Sequence, residues 1–204
     1  MFSSNNMIKN SSKRNLIVVL LIFALPVLIA TTMYVTGWRP SLTANYGELV
    51  QPARFIENRR LQTIDNQSFE FAALHGKWTM VYFDTAECPE QCISQLFLMR
   101  QTHYALGKDQ SRLQRIFILS NSEKLTLLQS KMSDYVDMKI LKGEQAVLDK
   151  LEIDFGMDEK NNKSHRNIYL IDPQGNLMMR YIPGINPAGI RKDMERLLKY
   201  SSEK

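Results

Sequence analysis

The chain has little cysteine and little histidine: 204 residues hold two of the first and three of the second. Two cysteines cannot build a disulfide-stapled scaffold, so the fold must rest on an apolar core. Three histidines, His75, His103 and His165, leave few imidazole ligands for any metal. No block of lysine and arginine with interleaved aromatics occurs, which removes the usual electrostatic footprint of a nucleic-acid-binding protein. No internal repeat or low-complexity segment is present, which excludes solenoids and disordered linkers. Charge itself is missing from Asn15 to Trp38.

That uncharged stretch is apolar from Leu16 to Val35, and roughly 20 such residues cross the hydrocarbon core of a bilayer. Pro26 is tolerated in a membrane helix. The preceding tail carries Lys9, Lys13 and Arg14 and no acid, so the positive-inside rule predicts a cytoplasmic tail over 1–15 and a transmembrane helix over 16–38. The apolar run exceeds a cleaved signal's usual roughly 7–15 residues. A tether follows over 39–46, and one domain over 47–204. The expected location is a bacterial inner membrane, single-pass, with the domain in the periplasm. The net charge is +5, and the tail supplies three of those charges.

About 165 residues after the anchor suffice for one domain with a real core. Tyr46–Asn58 reads as an edge strand around Pro52, and Leu61–Ile64 with Phe69–Leu74 as a hairpin about Asp65-Asn66-Gln67-Ser68. Trp78–Phe83 and Leu113–Leu119 are short, branched and aromatic, as buried strands are. Ser122 with Glu123 opens a helix to about Met132; Met138–Leu141 is a strand and Gly143–Ile153 a helix. Asn167–Ile171 and Asn176–Tyr181 are strands joined by the turn Asp172-Pro173-Gln174-Gly175. Pro187–Tyr200 is an amphipathic helix with Ile190, Met194, Leu197 and Leu198 inward. The order predicts an α/β domain with a central mixed sheet flanked by helices, in a thioredoxin-like layout.

Both cysteines lie in Cys88-Pro89-Glu90-Gln91-Cys92, between the Trp78–Phe83 strand and a helix ending at Gly107. The spacing puts them one turn apart on one helical face, with Pro89 at the first helical position. The helix N-terminus favours thiolate over thiol there. Cys88, the more N-terminal, is expected to be the exposed and attackable sulfur. A reversible disulfide, a two-thiolate metal site and a buried structural pair all remain open.

The sequence resembles the Sco/SenC family, thioredoxin-like copper chaperones of cytochrome c oxidase assembly. Cys88-Pro89-Glu90-Gln91-Cys92 looks like that family's CPxxC. Ile168-Tyr169-Leu170-Ile171-Asp172-Pro173-Gln174-Gly175 looks like its tyrosine strand and Asp-Pro-x-Gly turn, and the N-terminal anchor is similar. The resemblance implies copper held by Cys88, Cys92 and His165. It also implies a partner that is either the oxidase subunit carrying the CuA site or another copper chaperone. Ile93 stands where members usually have proline. His165 stands one place later than the family's histidine, and a one-residue slip in extended chain reverses a side chain's face.

Two thiolates suit Cu(I), and an added imidazole makes Cu(II) acceptable. His103 is about 16 Å along the helix from Cys92, beyond bonding reach, and His75 sits in a surface turn. Met99, Met178, Met179 and Met194 read as core filler. The alternative to a copper chaperone is a thiol–disulfide oxidoreductase using Cys88 and Cys92 without metal. Thr85-Ala86-Glu87-Cys88 also resembles the Thr-x-x-Cys of thiol peroxidases, though Val81 stands where that pattern has proline.

Overall fold

The computed structural model describes residues 5–37, 45–132, 135, 137–157 and 166–201, in two compact units, Met1–Ala44 and Asn45–Lys204. The first contains the helix α1, Asn5–Thr36, with Pro26 inside it. Its section Lys13–Thr36 is, among the described residues, the one helix long and apolar enough to cross a membrane. Thr31 and Thr32 donate their hydroxyls to the carbonyls of Val27 and Leu28 at 2.7 Å, which hides two polar groups on an otherwise apolar surface.

The second unit runs β1 (Glu48–Phe55), β2 (Arg60–Thr63), β3 (Ser68–Glu70), β4 (Trp78–Thr85), α2 (Glu90–Ala105), β5 (Leu113–Asn121), α3 (Leu125–Lys131), β6 (Met138–Lys142), α4 (Gln145–Asp154), β7 (Ile168–Ile171), β8 (Asn176–Tyr181) and α5 (Pro187–Tyr200). The strands form one sheet in the order β1-β8-β7-β4-β5-β6-β2-β3. Strands β4, β5 and β6 are parallel, joined through α2 and α3. All other pairs are antiparallel.

Side-chain alternation along the buried strands splits the core in two. Met80, Tyr82, Phe117, Leu170 and Tyr181 face a cluster completed by Leu96 and Met99 of α2, Leu128 of α3 and Met194 of α5. Val81, Phe83, Ile116, Ile118, Tyr169 and Ile171 face the opposite cluster, with Leu148 and Leu151 of α4. Both faces are covered, as a sheet with parallel central strands requires. The methionines Met99, Met179 and Met194 are buried core residues, as the sequence predicts.

Two local expectations are corrected. The second arm of the hairpin is a strand only over Ser68–Glu70; Phe71–Leu74 winds into a 3₁₀ turn. Residues three apart eclipse in that geometry, so Phe71 and Leu74 are buried on one side. The helix expected to open at Ser122 begins at Leu125. The Asn121 side chain instead accepts from the Glu123 amide at 2.7 Å and turns the chain first. The polar segment 158–164 lies outside the described residues.

His103, on α2, is half-buried, and its Nε2 lies 3.1 Å from the carbonyl of Gln110. Burial first, and then the neighbouring Arg115 charge, hold its pKa below the ordinary histidine range. The unfolded chain therefore binds this proton more readily than the folded one. The contribution is fully present above about pH 6.5, the ordinary histidine value, and is lost as the pH falls toward the depressed folded value. Urea midpoints should fall as the pH is lowered from 7 to 5, and His103→Gln should flatten that slope; an unchanged slope would remove His103 as its source.

Candidate functional site

Strand β4 ends in a register irregularity between Asp84 and Thr85, where Thr85 pairs with Asn121. The amide of Ala86 then donates to the Asn121 carbonyl at 2.8 Å, and that of Cys88 to the Thr85 carbonyl at 3.2 Å. These two bonds turn the chain off the sheet, and Cys88 takes a left-handed backbone at φ 39°. A side chain in that region costs about 1–2 kcal/mol. Pro89 follows as the helix N-cap, and its carbonyl accepts the first helical bond, from Ile93 at 3.1 Å.

Cys88 and Cys92 form a disulfide with their Cα atoms 5.0 Å apart. The strand-to-helix placement is as predicted, but three details differ. Pro89 is the N-cap, not the first helical residue. Cys88 therefore precedes the helix and does not share a helical face with Cys92; only Cys92 lies in the first turn of α2. Cys88 is not the exposed partner either, since both cysteines are 0 % exposed. The reason is packing: they belong to the apolar cluster that includes Leu128, Met132 and Tyr135. The first turn's unpaired amides and the positive end of the helix thus act most directly on Cys92.

Sequence reasoning missed a lysine clamp on this turn. Lys131, the last residue of α3, donates to the carbonyl of Glu87 at 2.8 Å and to that of Cys88 at 3.1 Å. Lys124, just before α3, pairs with the Glu87 carboxylate, which holds that carboxyl below its usual range. No spacing in the sequence announces either contact, since they join segments more than 35 residues apart.

On the other side of α2, a cavity of about 690 Å³ lies along the end of the sheet that carries the disulfide. Gln91, Ser94 and Gln95 of α2 form one wall; Arg166 and Asn167, which lead into β7, form another. Tyr82 closes its floor, and its hydroxyl donates to Asp84 at 3.0 Å. Burial, and then the Asp84 charge, push that hydroxyl far above the ordinary phenol range, so it stays a neutral donor.

The third expected ligand, His165, lies outside the described residues; its neighbour Arg166 is on the wall of this cavity. The histidines set aside on sequence grounds sit elsewhere: His75 is exposed beside Phe55, and His103 is held at Gln110. Among the described residues no cluster of three histidine, cysteine or acidic side chains could hold a metal. The two cysteines supply soft thiolate donors, and once reduced they fit Cu(I) better than any harder ion.

Solved structures share this fold. Yeast Sco1 with copper bound superposes with a TM-score of 0.61 at 20% identity, over 74% of this chain and 96% of that one. Bradyrhizobium japonicum ScoI with copper bound gives 0.56 at 20%, over 70% and 98%. The thioredoxin domain of a thiol-disulfide oxidoreductase from Bacteroides vulgatus gives 0.56 at 12%, over 70% and 94%. No curated protein matches the sequence. The domain is thus thioredoxin-like, and its sequence is divergent within that fold. The family described as "Transmembrane-like, thioredoxin-like, C-terminal domain" matches residues 78–201, from the first residue of β4 to just past the end of α5. That span is more than half of the chain, and the chain belongs to this family.

Proposed function

We propose that the protein is a membrane-anchored, periplasm-facing Sco-like copper chaperone and thiol–disulfide protein that assists assembly of the CuA site of cytochrome c oxidase. The observation that carries the reading is the Cys88–Cys92 disulfide at the β4–α2 turn. In the reduced state the same two sulfurs are a soft two-thiolate site, and copper is their cargo. The apolar section Lys13–Thr36 serves as the anchor, with 1–15 as the cytoplasmic tail, 39–46 as the tether and 47–204 as the exported domain. The partner is the CuA-bearing oxidase subunit or another copper chaperone.

The thiol chemistry needs no metal. A partner thiolate attacks one sulfur of the disulfide, the Cys88–Cys92 bond breaks, and a mixed disulfide forms while the other cysteine leaves as thiolate. A second partner thiolate attacks the mixed bond, yielding an oxidised partner and two reduced cysteines here. Run backwards, the sequence keeps a partner's cysteines reduced. Thiol–disulfide exchange without a metal role is therefore the second reading, supported by the oxidised pair.

Copper titration of the reduced full-length protein in detergent separates the two. Cu(I) should bind with one equivalent at Cys88 and Cys92. If His165 is the third ligand, Cu(II) binding should produce a thiolate charge-transfer absorption that His165→Ala removes, while Cu(I) binding survives. Equal Cu(II) binding by both proteins would remove His165 from the site. Absence of Cu(II) and Cu(I) binding by the parent would leave the exchange reading alone.

A further inference from the structure

The cavity along α2, whose wall includes Gln91 next in sequence to Cys92, holds charge and hydrogen-bonding capacity that the fold does not use. It is walled by the helix that carries Cys92 and by the segment entering β7, at the carboxyl end of β4, where ligands of open α/β sheets bind. Two arginines reach it. Arg180 is neutralised by Glu48, whose carboxylate lies 2.7 Å from its Nε. Arg166 is exposed and has no carboxylate partner among the described residues. Gln95, on the opposite wall, is 8 % exposed, and its Oε1 receives no hydrogen bond. A buried amide oxygen without a donor costs about 1–3 kcal/mol. Ile182 and Pro183 add an apolar rim.

We propose that this cavity recognises an acidic peptide segment of the protein whose cysteines exchange with Cys88–Cys92. The occupant must bring a carboxylate for the guanidinium of Arg166, an N–H for the oxygen of Gln95, and an apolar group for Ile182. A stretch of peptide with a glutamate or aspartate next to its cysteine supplies all three. A simple anion supplies only the first. The volume of about 690 Å³ lies within the ordinary range for a bound ligand of several residues' side chains. The assignment rests on the thiol reading for the identity of the partner, but the binding step itself requires no redox chemistry.

The test therefore uses peptides that cannot exchange. Full-length protein in detergent is titrated with a short fluorescein-labelled peptide bearing Glu-Ser-Glu at its centre, with its Gln-Ser-Gln counterpart, and with inorganic phosphate as competitor. The acidic peptide should bind about tenfold more tightly than the neutral one, the worth of one charge-assisted pair. Arg166→Gln should erase that difference, Arg166→Lys should restore part of it, and Arg191→Gln, on the exposed face of α5, should leave it intact. Equal affinities for the two peptides, an unchanged preference in Arg166→Gln, or displacement by phosphate at the peptide's own concentration would overturn the proposal. A preference for the acidic peptide combined with no exchange by its cysteine version would keep this site and remove the thiol reading. Exchange that ignores peptide charge would do the reverse.

Discussion

Cys92→Ala is expected to lose thiol–disulfide exchange completely and to melt about 4–8 °C below the oxidised parent, with reduced parent falling by a similar amount. Exchange needs both sulfurs: with one gone, no Cys88–Cys92 bond exists for a partner thiolate to attack, and a mixed disulfide at Cys88 cannot be resolved from within the protein. The thermal effect follows from the closed loop. Crosslinking positions four apart restricts the unfolded chain by about 2 kcal/mol in the chain-entropy account. In a domain of this size each kcal/mol is worth about 2–4 °C. Alanine is the suitable replacement, because a serine hydroxyl at a site with no exposure would add its own desolvation cost. Scanning calorimetry with and without reductant reads the shift, and insulin or a dithiol peptide reads the exchange. Equal melting of parent and variant together with residual exchange would show that the disulfide neither braces the fold nor performs the chemistry.

Asp193→Ala should destabilise the domain by about 2–4 kcal/mol, with unfolding roughly 10 °C lower. Asp193 of α5 is 1 % exposed, and its carboxylate accepts the amides of Tyr46 and Gly47, each at 2.9 Å. Removal leaves two amides at the head of the domain without their acceptor, the one at Gly47 buried. The site cannot easily rearrange: a methyl group on Gly47 would stand 2.5 Å from the Tyr181 ring, so the backbone is already pressed against β8. Asp193→Asn keeps one acceptor oxygen and should lose about half as much. Chemical denaturation of the three proteins measures the series, and an alanine variant within about 0.5 kcal/mol of the parent would show that the clamp is dispensable.

Much of this architecture was legible because its signals are local. The bounds of Asn176–Tyr181 are readable because a Pro-Gln-Gly turn precedes an alternating strand, and those of Pro187–Tyr200 because its apolar residues recur at helical spacing. The strand-to-helix location of the cysteines was likewise readable. What escaped was set by distant partners. Phe69–Leu74 looked like one extended arm, yet the burial of Phe71 and Leu74 is satisfied by a tighter turn. Cys88 looked exposed by position, yet α3, arriving from beyond β5, packs its apolar side and its terminal lysine against that turn. Lys131, Asp193 and Gln95 are ordinary surface types in sequence; only the fold makes one a clamp, one a buried acceptor and one an unmet acceptor on a cavity wall. The third expected ligand, His165, stands outside the described residues, so its distance from the cysteines is left to the copper titration.

The position of β1 has a consequence for synthesis. Among the described residues its one sheet neighbour is β8, and the ion pair between them joins residues 132 positions apart. A ribosome adds about 5–20 residues per second, so β1 waits on the order of ten seconds before its neighbour exists, and longer before Asp193 closes over it. During that interval an eight-residue strand with free backbone edges is available to other chains. Pro52 within it removes one donor from that edge. The nascent protein is therefore most open to strand capture, and most in need of a holding chaperone, until β8 and Asp193 have emerged.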